Sequence, residues 1–365
     1  MPTPINRISK MSDEAERLYH ETEGDRRYFD TKYNISVMAI KCMDGRADFT
    51  EATGAPFAWV YPVRTIGGMI DIGWPAFKPH FERRVRSAGE RRKALLIPVT
   101  YHFSSQGKDF CCKGYDYDTS KAVAGQTAVR DQFDRVTRTL FIEGGTRQVY
   151  TVLVGINTDD RSIILHGNKD ETLEATMLIQ HSEQESEALL KERLPKLYPE
   201  MPQGMIQFLT DRMLFNRMLV MKKRTEKVSS EDLDHNEWIL AVGNRFDYIR
   251  TWNSAIKIKS WDPNFIKTCL TGAHIIFENI EEGRVSKKDG VVLLVNESFD
   301  RDTDYYDDWR AAEESARWMY REISEAIIAE FPTLREYMRP LVGIVSTERR
   351  LHRLDINVAM WGKSA

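Results

Sequence analysis

The sequence predicts an α/β protein in which mostly parallel sheets are flanked by helices. Two observations support this class: short apolar, β-prone runs alternate with segments of helical periodicity, and the second half of the chain repeats the order and spacing of the first. At 365 residues the chain is long enough for two domains or for one unit of double size. Its 42% hydrophobic and 29% charged residues are typical of a soluble globular protein.

The first predicted element is a surface helix within residues 11–28, which is polar with scattered apolar positions and has an acidic first turn. We assign residues 1–34 to an N-terminal helical arm. Residues 1–10 lack the apolar core of a secretory signal, and no segment is long and uncharged enough to span a bilayer. The sequence therefore predicts a cytoplasmic protein without a membrane partner.

Three apolar runs predict the strands of the first half: residues 36–40, 94–100 and 151–156. A helix is predicted before the third run from apolar residues that recur at helical spacing: Val129, Phe133, Val136 and Leu140. Alternating strands and helices favour a parallel sheet, in which ligands bind beyond the carboxyl ends of the strands. Cys42 follows the first strand and His102 the second, so both lie at that edge. We assign residues 35–167 to one domain.

The second half of the chain repeats these elements in the same order. Its apolar runs lie at residues 239–243, 291–295 and 341–344. A helix precedes the last run, and its apolar face carries Trp309, Ala312, Ala316, Tyr320, Ile323 and Ile327. These matches predict a duplication that forms a pseudo-dimer within the chain, with its second copy at residues 237–365. Between the copies, residues 168–236 are predicted to be a helical connector.

The second copy keeps the scaffold of the first but not its metal-binding and charged side chains. Three positions differ: Asn244 stands in place of Cys42, Phe246 in place of Asp44 and Ser298 in place of His102. The replacements supply neither a thiolate nor an imidazole, which are the ligands that zinc prefers. The second half is therefore predicted to be a degenerate repeat without a metal site.

Four cysteines are present: Cys42, Cys111, Cys112 and Cys269. They are too sparse for a disulfide scaffold, so the expected roles are metal ligand, reactive thiol or small core residue. Cys42 stands out because Asp44 and Arg46 follow in the same short turn, and His102 lies downstream with two further cysteines. Two thiolates and one imidazole can hold a zinc ion with one coordination position open, as catalytic zinc sites require.

Thiolate ligands would shape the chemistry of such a site. Because two thiolates offset the double charge of zinc, the metal would acidify its water less than a zinc ion held by three histidines. Asp44 could then accept the hydrogen bond of the bound hydroxide and orient it, while Arg46 keeps the carboxylate ionised and fixed. This arrangement suits an electrophile with no proton to lose and no leaving group. Carbon dioxide is the natural candidate.

These residues resemble the pattern of β-class carbonic anhydrases. That family has a Cys-x-Asp-x-Arg motif, a Val-Arg-Asn-x-Gly-Asn-like segment and a His followed by Cys-x-Gly. The matching segments here are Cys42 to Arg46, Val63 to Gly68, and His102 with Cys112-Lys113-Gly114. The wide gap between His102 and Cys112, the Asp-Gly-Arg sequence at residues 44–46 and the degenerate second copy resemble one branch, the carboxysome shell carbonic anhydrases. Those proteins are fused pairs with one working half.

The resemblance implies both a fold and a set of site residues. The implied fold is a β-carbonic-anhydrase-like, mostly parallel sheet flanked by helices and duplicated within the chain. The implied zinc ligands are Cys42, His102 and Cys112. The implied catalytic pair is Asp44 and Arg46.

The third ligand is assigned from the motif. Cys112 is preferred because Cys112-Lys113-Gly114 reproduces the Cys-x-Gly spacing, and Cys111 is the alternative. The family usually places this Cys three residues after the His, so residues 103–110 are expected to fold back and bring the ligand in. The resemblance also implies that Arg64 and the backbone of residues 67–68 shape the wall of the site.

The predicted activity is the zinc-dependent, reversible hydration of carbon dioxide to bicarbonate by a metal-bound hydroxide. The protein would then be a carbonic anhydrase, which is a lyase, with Zn²⁺ as its cofactor. One alternative is a catalytically silent zinc-binding or redox-sensing scaffold of the same fold, in which Asp44 closes the coordination shell. Another is a zinc hydrolase, for which no separate general acid is evident near the motif.

The charge balance bounds the partners. A net charge of −3 and a pI near 6.3 argue against general binding to nucleic acid or to a membrane surface. The expected partners are carbon dioxide and bicarbonate, together with further copies of the chain in a homo-oligomer. The carboxysomal proteins carry an extended N-terminal region, and few residues precede the first strand here. A free-standing cytoplasmic enzyme is therefore expected, with a carboxysomal location as the alternative.

Other chemistry-bearing residues have no such pattern around them. His80, His166 and His274 lack partner motifs, so each is predicted to be structural or solvated rather than a proton shuttle. The charged run at residues 83–92 is predicted to be a solvated helix face. The sequence does not identify a proton acceptor for the predicted reaction.

Overall fold

The computed structural model describes residues 3–107, 111–140, 142–143, 146–167, 171–225, 236–246, 254–299 and 309–361. These residues form two mixed, mostly parallel β-sheets flanked by helices. The α/β class predicted from the sequence is therefore confirmed. The division into four domains is not tested and stays a prediction.

The strands of the first half are β1 (Ile35–Cys42), β2 (Val60–Thr65), β3 (Ala94–Phe103), β4 (Ile142–Glu143), β5 (Thr146–Arg147), β6 (Val149–Asn157), β7 (Ile163–His166) and β8 (Thr172–Glu174). The first sheet has the order β2-β1-β3-β6-β7-β8, and β4 pairs with β5 separately. Strands β2, β1, β3 and β6 run parallel, whereas β7 and β8 are antiparallel additions at one edge. The carboxyl ends of β1 and β3 therefore meet at one edge of the sheet, as predicted.

The strands of the second half are β9 (Ile239–Gly243), β10 (Ala255–Ile258), β11 (Val291–Phe299), β12 (Met338–Ser346) and β13 (Leu351–Arg353). The second sheet has the order β10-β9-β11-β12-β13, with four parallel strands and an antiparallel edge at β13. This order and orientation are those of β2-β1-β3-β6-β7 in the first sheet. The two halves thus share one topology within the described residues.

The α-helices are α1 (Pro4–Glu21), α2 (Glu23–Tyr33), α3 (Phe49–Thr53), α4 (Phe77–Glu90), α5 (Thr119–Leu140), α6 (Glu183–Leu197), α7 (Gln203–Thr225), α8 (Phe265–Glu281), α9 (Trp309–Glu330) and α10 (Leu334–Tyr337). The arm predicted as one helix at residues 11–28 is two helices that break at Thr22. The chain begins α1 with an N-cap at Thr3 and ends α2 at Asn34, which has the left-handed conformation of a helix C-terminus. Helices α6 and α7 lie in the predicted helical connector, which also contains β8, an edge strand of the first sheet.

The first sheet is buried on both faces, as parallel sheets are. Successive side chains of a strand point to opposite faces, so Met38 and Ile40 pack with Phe77, whereas Val37 and Ala39 pack on the side of α7. Val37 and Ala39 belong to the same apolar cluster as four residues of α7, which are Met205, Phe208, Leu209 and Met213. The sheet is therefore held rigid between two apolar layers.

The two halves meet at the edges of their sheets. The N–H of Lys257 in β10 donates to the carbonyl oxygen of Met43 at 3.0 Å, and the N–H of Lys259 donates to the carbonyl oxygen of Arg64 at 3.0 Å. Helix α1 packs on the second half, where the hydroxyl oxygen of Ser12 accepts a 2.9 Å hydrogen bond from the N–H of Leu351. The turn that follows β1 is therefore enclosed between the two sheets.

Among the described residues, no helix combines the length and the apolarity that crossing a bilayer demands.

Candidate metal centre

The turn after β1 carries the first group of site residues. Strand β1 ends at Cys42, and the side chain of Asp44 accepts a 2.8 Å hydrogen bond from the backbone N–H of Arg46. This Asx-type turn is a local structure that Asp favours. Two residues later, Asp48 caps α3 by accepting from the N–H groups of residues 50 and 51. The local sequence therefore reverses the chain directly after the first candidate ligand.

Three candidate ligands converge at the carboxyl edge of the first sheet. Cys42 ends β1, His102 lies near the end of β3, and Cys112 follows the loop after β3. Their ligand atoms all lie within 4.8 Å of one another, and the residues are 4%, 1% and 3% exposed, respectively. This buried group could hold a metal ion.

The donor set fits zinc. The two sulfur atoms of Cys42 and Cys112 are 3.7 Å apart. Two thiolates on one tetrahedral zinc ion, each bound at about 2.3 Å, would lie about 3.8 Å apart. Both ring nitrogens of His102 are buried and have no hydrogen-bond partner among the described residues. An orphaned buried imidazole is costly unless something binds it, and a metal ion would do so.

The third candidate ligand, Cys112, belongs to a Cys-x-Gly sequence whose glycine is needed for close packing. The carbonyl oxygen of Cys112 accepts hydrogen bonds from the N–H groups of Tyr115 and Tyr117, both at 3.0 Å, which closes a tight turn. A Cβ atom on Gly114 would lie 3.0 Å from the backbone nitrogen of Gly67, so a larger residue would push these two loops apart. Gly67 itself has φ of +61°, a conformation that glycine adopts without strain. The two glycine motifs therefore pack against each other beside the ligand.

The remaining cysteines lie elsewhere. The sulfur of Cys111 is 3.5 Å from the hydroxyl of Thr119 and is not part of the three-ligand group. Cys269 is buried in α8, where burial raises the pKa of its thiol. Residues 108–110, which belong to the loop expected to fold back, lie outside the described residues. Of the two alternatives Cys111 and Cys112, the geometry brings Cys112 to His102.

The ionisation of the group favours metal binding. A hydrogen bond from Cys112 lowers the pKa of Cys42 well below its ordinary value, whereas the same pairing and burial raise the pKa of Cys112. Burial opposes charging His102, but Cys42 and Asp44 outweigh it and raise the pKa of the imidazole. One thiolate is therefore already stabilised in the metal-free site. A divalent cation would stabilise the second by direct coordination.

Asp44 and Arg46 form a buried ion pair beside the ligands. Oδ2 of Asp44 lies 2.8 Å from Nη2 of Arg46, and Oδ1 lies 3.2 Å from Nε. Burial disfavours the charge of Arg46, yet the adjacent carboxylate raises its pKa above the ordinary value. The same Oδ2 is 3.8 Å from Nε2 of His102. Asp44 thus lies beside the ligand group with its orientation fixed by the guanidinium.

A second group of charged side chains, Lys41, Asp48 and Arg64, holds the turn after β1 in place. Of these three, only Arg64 was identified from the sequence. Nη1 of Arg64 donates to the carbonyl oxygens of Cys42 and Asp44 at 2.8 and 2.9 Å, and Nη2 donates to Asp48 at 2.9 Å. Nζ of Lys41 lies 3.1 Å from the other carboxylate oxygen of Asp48. Arg64, expected to shape the wall of the site, thus bonds to the backbone of the ligand turn. The position of Asp48 as a helix cap was the one sequence signal for this group.

A cavity of about 430 Å³ opens onto the ligand group and is lined by both halves. Its apolar lining includes Met43, Ile66, Ile256 and Ile275. Its charged lining from the second half comprises Glu237, Glu278, Glu282 and Arg284. The second half, which contributes no ligand from its described residues, therefore contributes walls.

The corresponding positions of the second half form a different cluster. Nδ2 of Asn244 donates to Glu297 at 2.6 Å, and burial raises the pKa of Glu297 to about 7. Ser298 is buried, and its hydroxyl has no hydrogen-bond partner in the part of the chain that the structure describes. Across the described residues, the other set of side chains with metal-binding spacing is Glu16, His20 and Glu348, which lies at the surface. Residues 247–253 lie outside the described part of this region.

The other histidines differ in setting. His80 is buried against the ring of Trp261, with centroids 4.1 Å apart, and burial holds its pKa well below the ordinary value. Nε2 of His166 is 2.8 Å from the hydroxyl of Tyr101. His274 is partly exposed and pairs with Glu278 at 3.1 Å. His80 and His166 therefore have structural contacts, whereas His274 contacts Glu278, a residue that lines the cavity.

Comparison with known proteins finds no family model and no curated protein that matches this chain.

Proposed function

We propose that this protein is a zinc-dependent carbonic anhydrase that catalyses the reversible hydration of carbon dioxide to bicarbonate. One observation carries the proposal: the buried group of Cys42, His102 and Cys112 lies beside the ion pair of Asp44 and Arg46 on one cavity. Three ligands leave one position of a tetrahedral ion open, which is the arrangement of catalytic rather than structural zinc.

Zinc, when bound, would act as a Lewis acid that activates a water molecule for attack on carbon dioxide. The chain itself would orient the reactants. Asp44 accepts a hydrogen bond from the attacking water and thereby directs an oxygen lone pair into the cavity. Arg46 keeps this carboxylate ionised through paired hydrogen bonds, so Asp44 remains an acceptor during the reaction.

The apolar part of the cavity suits the substrate. Carbon dioxide has no net charge and gains little from hydrogen-bond donors before it reacts. Met43 and Ile66 of the first half face the cavity together with Ile256 and Ile275 of the second. These side chains exclude bulk water from the place where carbon dioxide would dissolve.

The proposal extends to the organisation of the chain. The second half, residues 237–365, would be a degenerate copy that serves as a built-in partner for the catalytic half at residues 35–167. The equal strand order of the two sheets supports this reading, as does the hydrogen bond from Lys257 of β10 to Met43 in the turn after β1. Such a pair would be a pseudo-dimer with one working centre.

Metal analysis and stopped-flow kinetics test the proposal together. We expect about one zinc ion per chain, because one half offers the ligand group. The zinc-loaded protein should hydrate carbon dioxide faster than buffer between pH about 7 and 9, where thiolate and imidazole ligands are deprotonated. A zinc-loaded preparation that is no faster than buffer across this range would remove the enzyme from consideration.

A second candidate, redox sensing, is favoured by the 3.7 Å separation of the Cys42 and Cys112 sulfurs. A disulfide needs about 2.05 Å, so a small movement in the metal-free protein would allow oxidation by peroxide. Thiol counting on metal-free and zinc-loaded protein distinguishes the two functions. A sensor loses two thiols reversibly under mild peroxide, whereas an enzyme protected by zinc keeps them.

A further inference from the structure

The cavity beside the ligand group is bounded on one side by α8 of the second half. Glu278 of this helix lines the cavity, and its carboxylate contacts two nitrogen-bearing side chains. Oε2 lies 3.2 Å from Nζ of Lys113, and Oε1 lies 3.1 Å from Nε2 of His274. The Glu278 side chain is 39% exposed and that of His274 is 46% exposed. The pair therefore connects the wall of the cavity with solvent.

Among the other described histidines, only the candidate ligand His102 lies at this cavity. His80 is enclosed by the rings of Trp261 and Tyr61, and its lowered pKa makes it a poor proton acceptor. His166 bonds to the hydroxyl of Tyr101, which does not line the cavity. His274 is thus distinguished by its contact with a carboxylate that lines the cavity.

We propose that His274 is the proton acceptor of carbon dioxide hydration and that Glu278 connects it to the cavity. This inference rests on the proposed function. Water and carbon dioxide yield bicarbonate and one proton, which must leave before the next turnover. Glu278 takes this proton from cavity water and passes it to Nε2 of His274 in the tautomer whose hydrogen is on Nδ1. The imidazolium releases its Nδ1 proton to buffer, and proton exchange with water restores the starting tautomer. No electron is transferred, and the carboxylate returns to its ionised form.

The chemistry of the pair suits this role. Imidazole is the side chain whose ordinary pKa lies closest to neutral pH, so it both accepts and releases a proton there. Lys113, in the turn after Cys112, lies 3.2 Å from Oε2 of Glu278 and holds this carboxylate at the cavity wall. Glu282, Arg284 and Glu237 are the other charged groups that line this side of the cavity, and Phe331 packs on the ring of His274.

Stopped-flow hydration by full-length, zinc-loaded variants tests the proposal. At low buffer concentration we expect His274→Ala and Glu278→Gln to lower kcat by about 10- to 100-fold. This is at or below the lower end of what a positioned acid or base contributes, because water in an open cavity also carries protons. The ratio kcat/KM should stay unchanged, and added imidazole should restore kcat in His274→Ala. His181→Ala, which removes an exposed histidine away from the cavity, is the matched control.

A second measurement does not depend on activity. In ¹⁵N NMR spectra of the metal-free protein at pH about 5, where an ordinary imidazole is protonated, the Nε2–H group of His274 should show the shift of a donor to a carboxylate. Glu278→Gln should remove this shift. Zinc content and the absorption spectrum of cobalt-substituted protein should be the same in both variants as in the wild type. These controls separate a lost proton path from a disturbed metal site.

The outcomes distinguish this inference from the proposed function. A wild-type protein that does not hydrate carbon dioxide removes both. An active wild type whose His274→Ala variant keeps full kcat at low buffer removes the proton acceptor and leaves the enzyme intact. A loss of kcat that imidazole does not restore, or ¹⁵N resonances that Glu278→Gln leaves unchanged, also overturns the role of the pair.

Discussion

The backbone N–H of Lys257 donates a 3.0 Å hydrogen bond to the carbonyl oxygen of Met43, the residue that follows the candidate ligand Cys42. The neighbouring residue Ile256 forms an antiparallel bridge with Asp44. The edge strand of the second sheet thus pairs with the turn that carries the candidate ligand and the candidate catalytic carboxylate. The half without a described ligand group is therefore part of the site, because it fixes the turn.

Lys257→Pro should weaken the pairing between β10 and the turn after β1 and leave the three candidate ligands unchanged. Proline removes the N–H that bonds Met43 and is tolerated at the edge of a sheet when the N–H points away from the neighbouring strand. The lost bond leaves a buried carbonyl without a partner at a cost of about 1–3 kcal/mol, so zinc should transfer to a chelator at least about tenfold faster. Lys257→Ala, which keeps the N–H, is the control. Equal zinc release from both variants would mean that the bond does not hold the turn.

Cys112→Ser should abolish stoichiometric zinc binding, whereas Cys111→Ser should keep it. The sulfur of Cys112 lies 3.7 Å from that of Cys42, and the sulfur of Cys111 lies beside Thr119. A serine hydroxyl is a poor zinc ligand, so loss of one of three protein ligands removes most of the affinity. Metal analysis after gel filtration measures the effect. Zinc retention by Cys112→Ser together with zinc loss by Cys111→Ser would assign the ligand to the other cysteine.

Asp44→Asn should keep zinc and lose rate. The amide retains the shape of the side chain and can still accept from Arg46, but it is a weaker acceptor for the attacking water. We expect kcat/KM for carbon dioxide hydration to fall by about 10²-fold or more. Stopped-flow rates at equal zinc content give the answer. Full activity in this variant would show that another group orients the water.

The predictable part of this fold was local. The apolar runs at residues 36–40, 94–100 and 151–156 lie within β1, β3 and β6, because a strand buried on both faces must be apolar throughout. The edge strand β2 escaped notice, since its sequence mixes Pro62 and Arg64 with apolar residues. The break at Thr22 was missed because the helical pattern continues across it.

The turn that carries Cys42, Asp44 and Arg46 was also predictable, because its residues are close in sequence. The contacts that support this turn could not be predicted from the sequence. From the sequence, Lys41 had no assigned role and Arg64 was placed at the wall of the site. Both side chains are almost fully buried and lie against Asp48, because β1 pairs with β2. Ile256 and Glu278 come from more than 200 residues away, and no local pattern indicates which distant residues line a cavity.

Asp48→Asn should destabilise the metal-free protein. The substitution leaves the buried cations Lys41 and Arg64 without the carboxylate that they share. Breaking a buried pair in this way costs about 3–5 kcal/mol in the free energy of unfolding. Urea titration at pH 7 measures the loss. Asp131→Asn, which breaks an exposed pair with Arg130, is the control and should change stability by less than about 0.5 kcal/mol.

The same carboxylate should contribute to acid sensitivity. Burial would raise the pKa of Asp48, but Lys41 and Arg64 outweigh it and hold the pKa well below its usual range. Its stabilising contribution is therefore complete above the unfolded pKa of about 3.9 and is lost as the pH falls towards the folded value. Asp48→Asn should flatten the decline in stability below pH about 4. An unchanged acid slope in this variant would assign the decline to other groups.

Glu297→Gln should stabilise the protein at alkaline pH. Burial raises the pKa of Glu297 to about 7, so the folded state holds a proton that the unfolded chain releases near pH 4.3. Because the folded state binds more protons, stability falls as the pH rises between these values, by about 4 kcal/mol in total. Glutamine cannot ionise, and its amide oxygen can still accept the hydrogen bond from Asn244. Its NH2 group can donate to the hydroxyl of Ser315, which then acts as the acceptor. Urea unfolding of the metal-free protein should therefore give equal stability for both forms at pH 4. At pH 8 the variant should be more stable by up to about 4 kcal/mol. A variant that is no more stable than the wild type at pH 8 would show that the carboxylate is well solvated or paired in the folded protein.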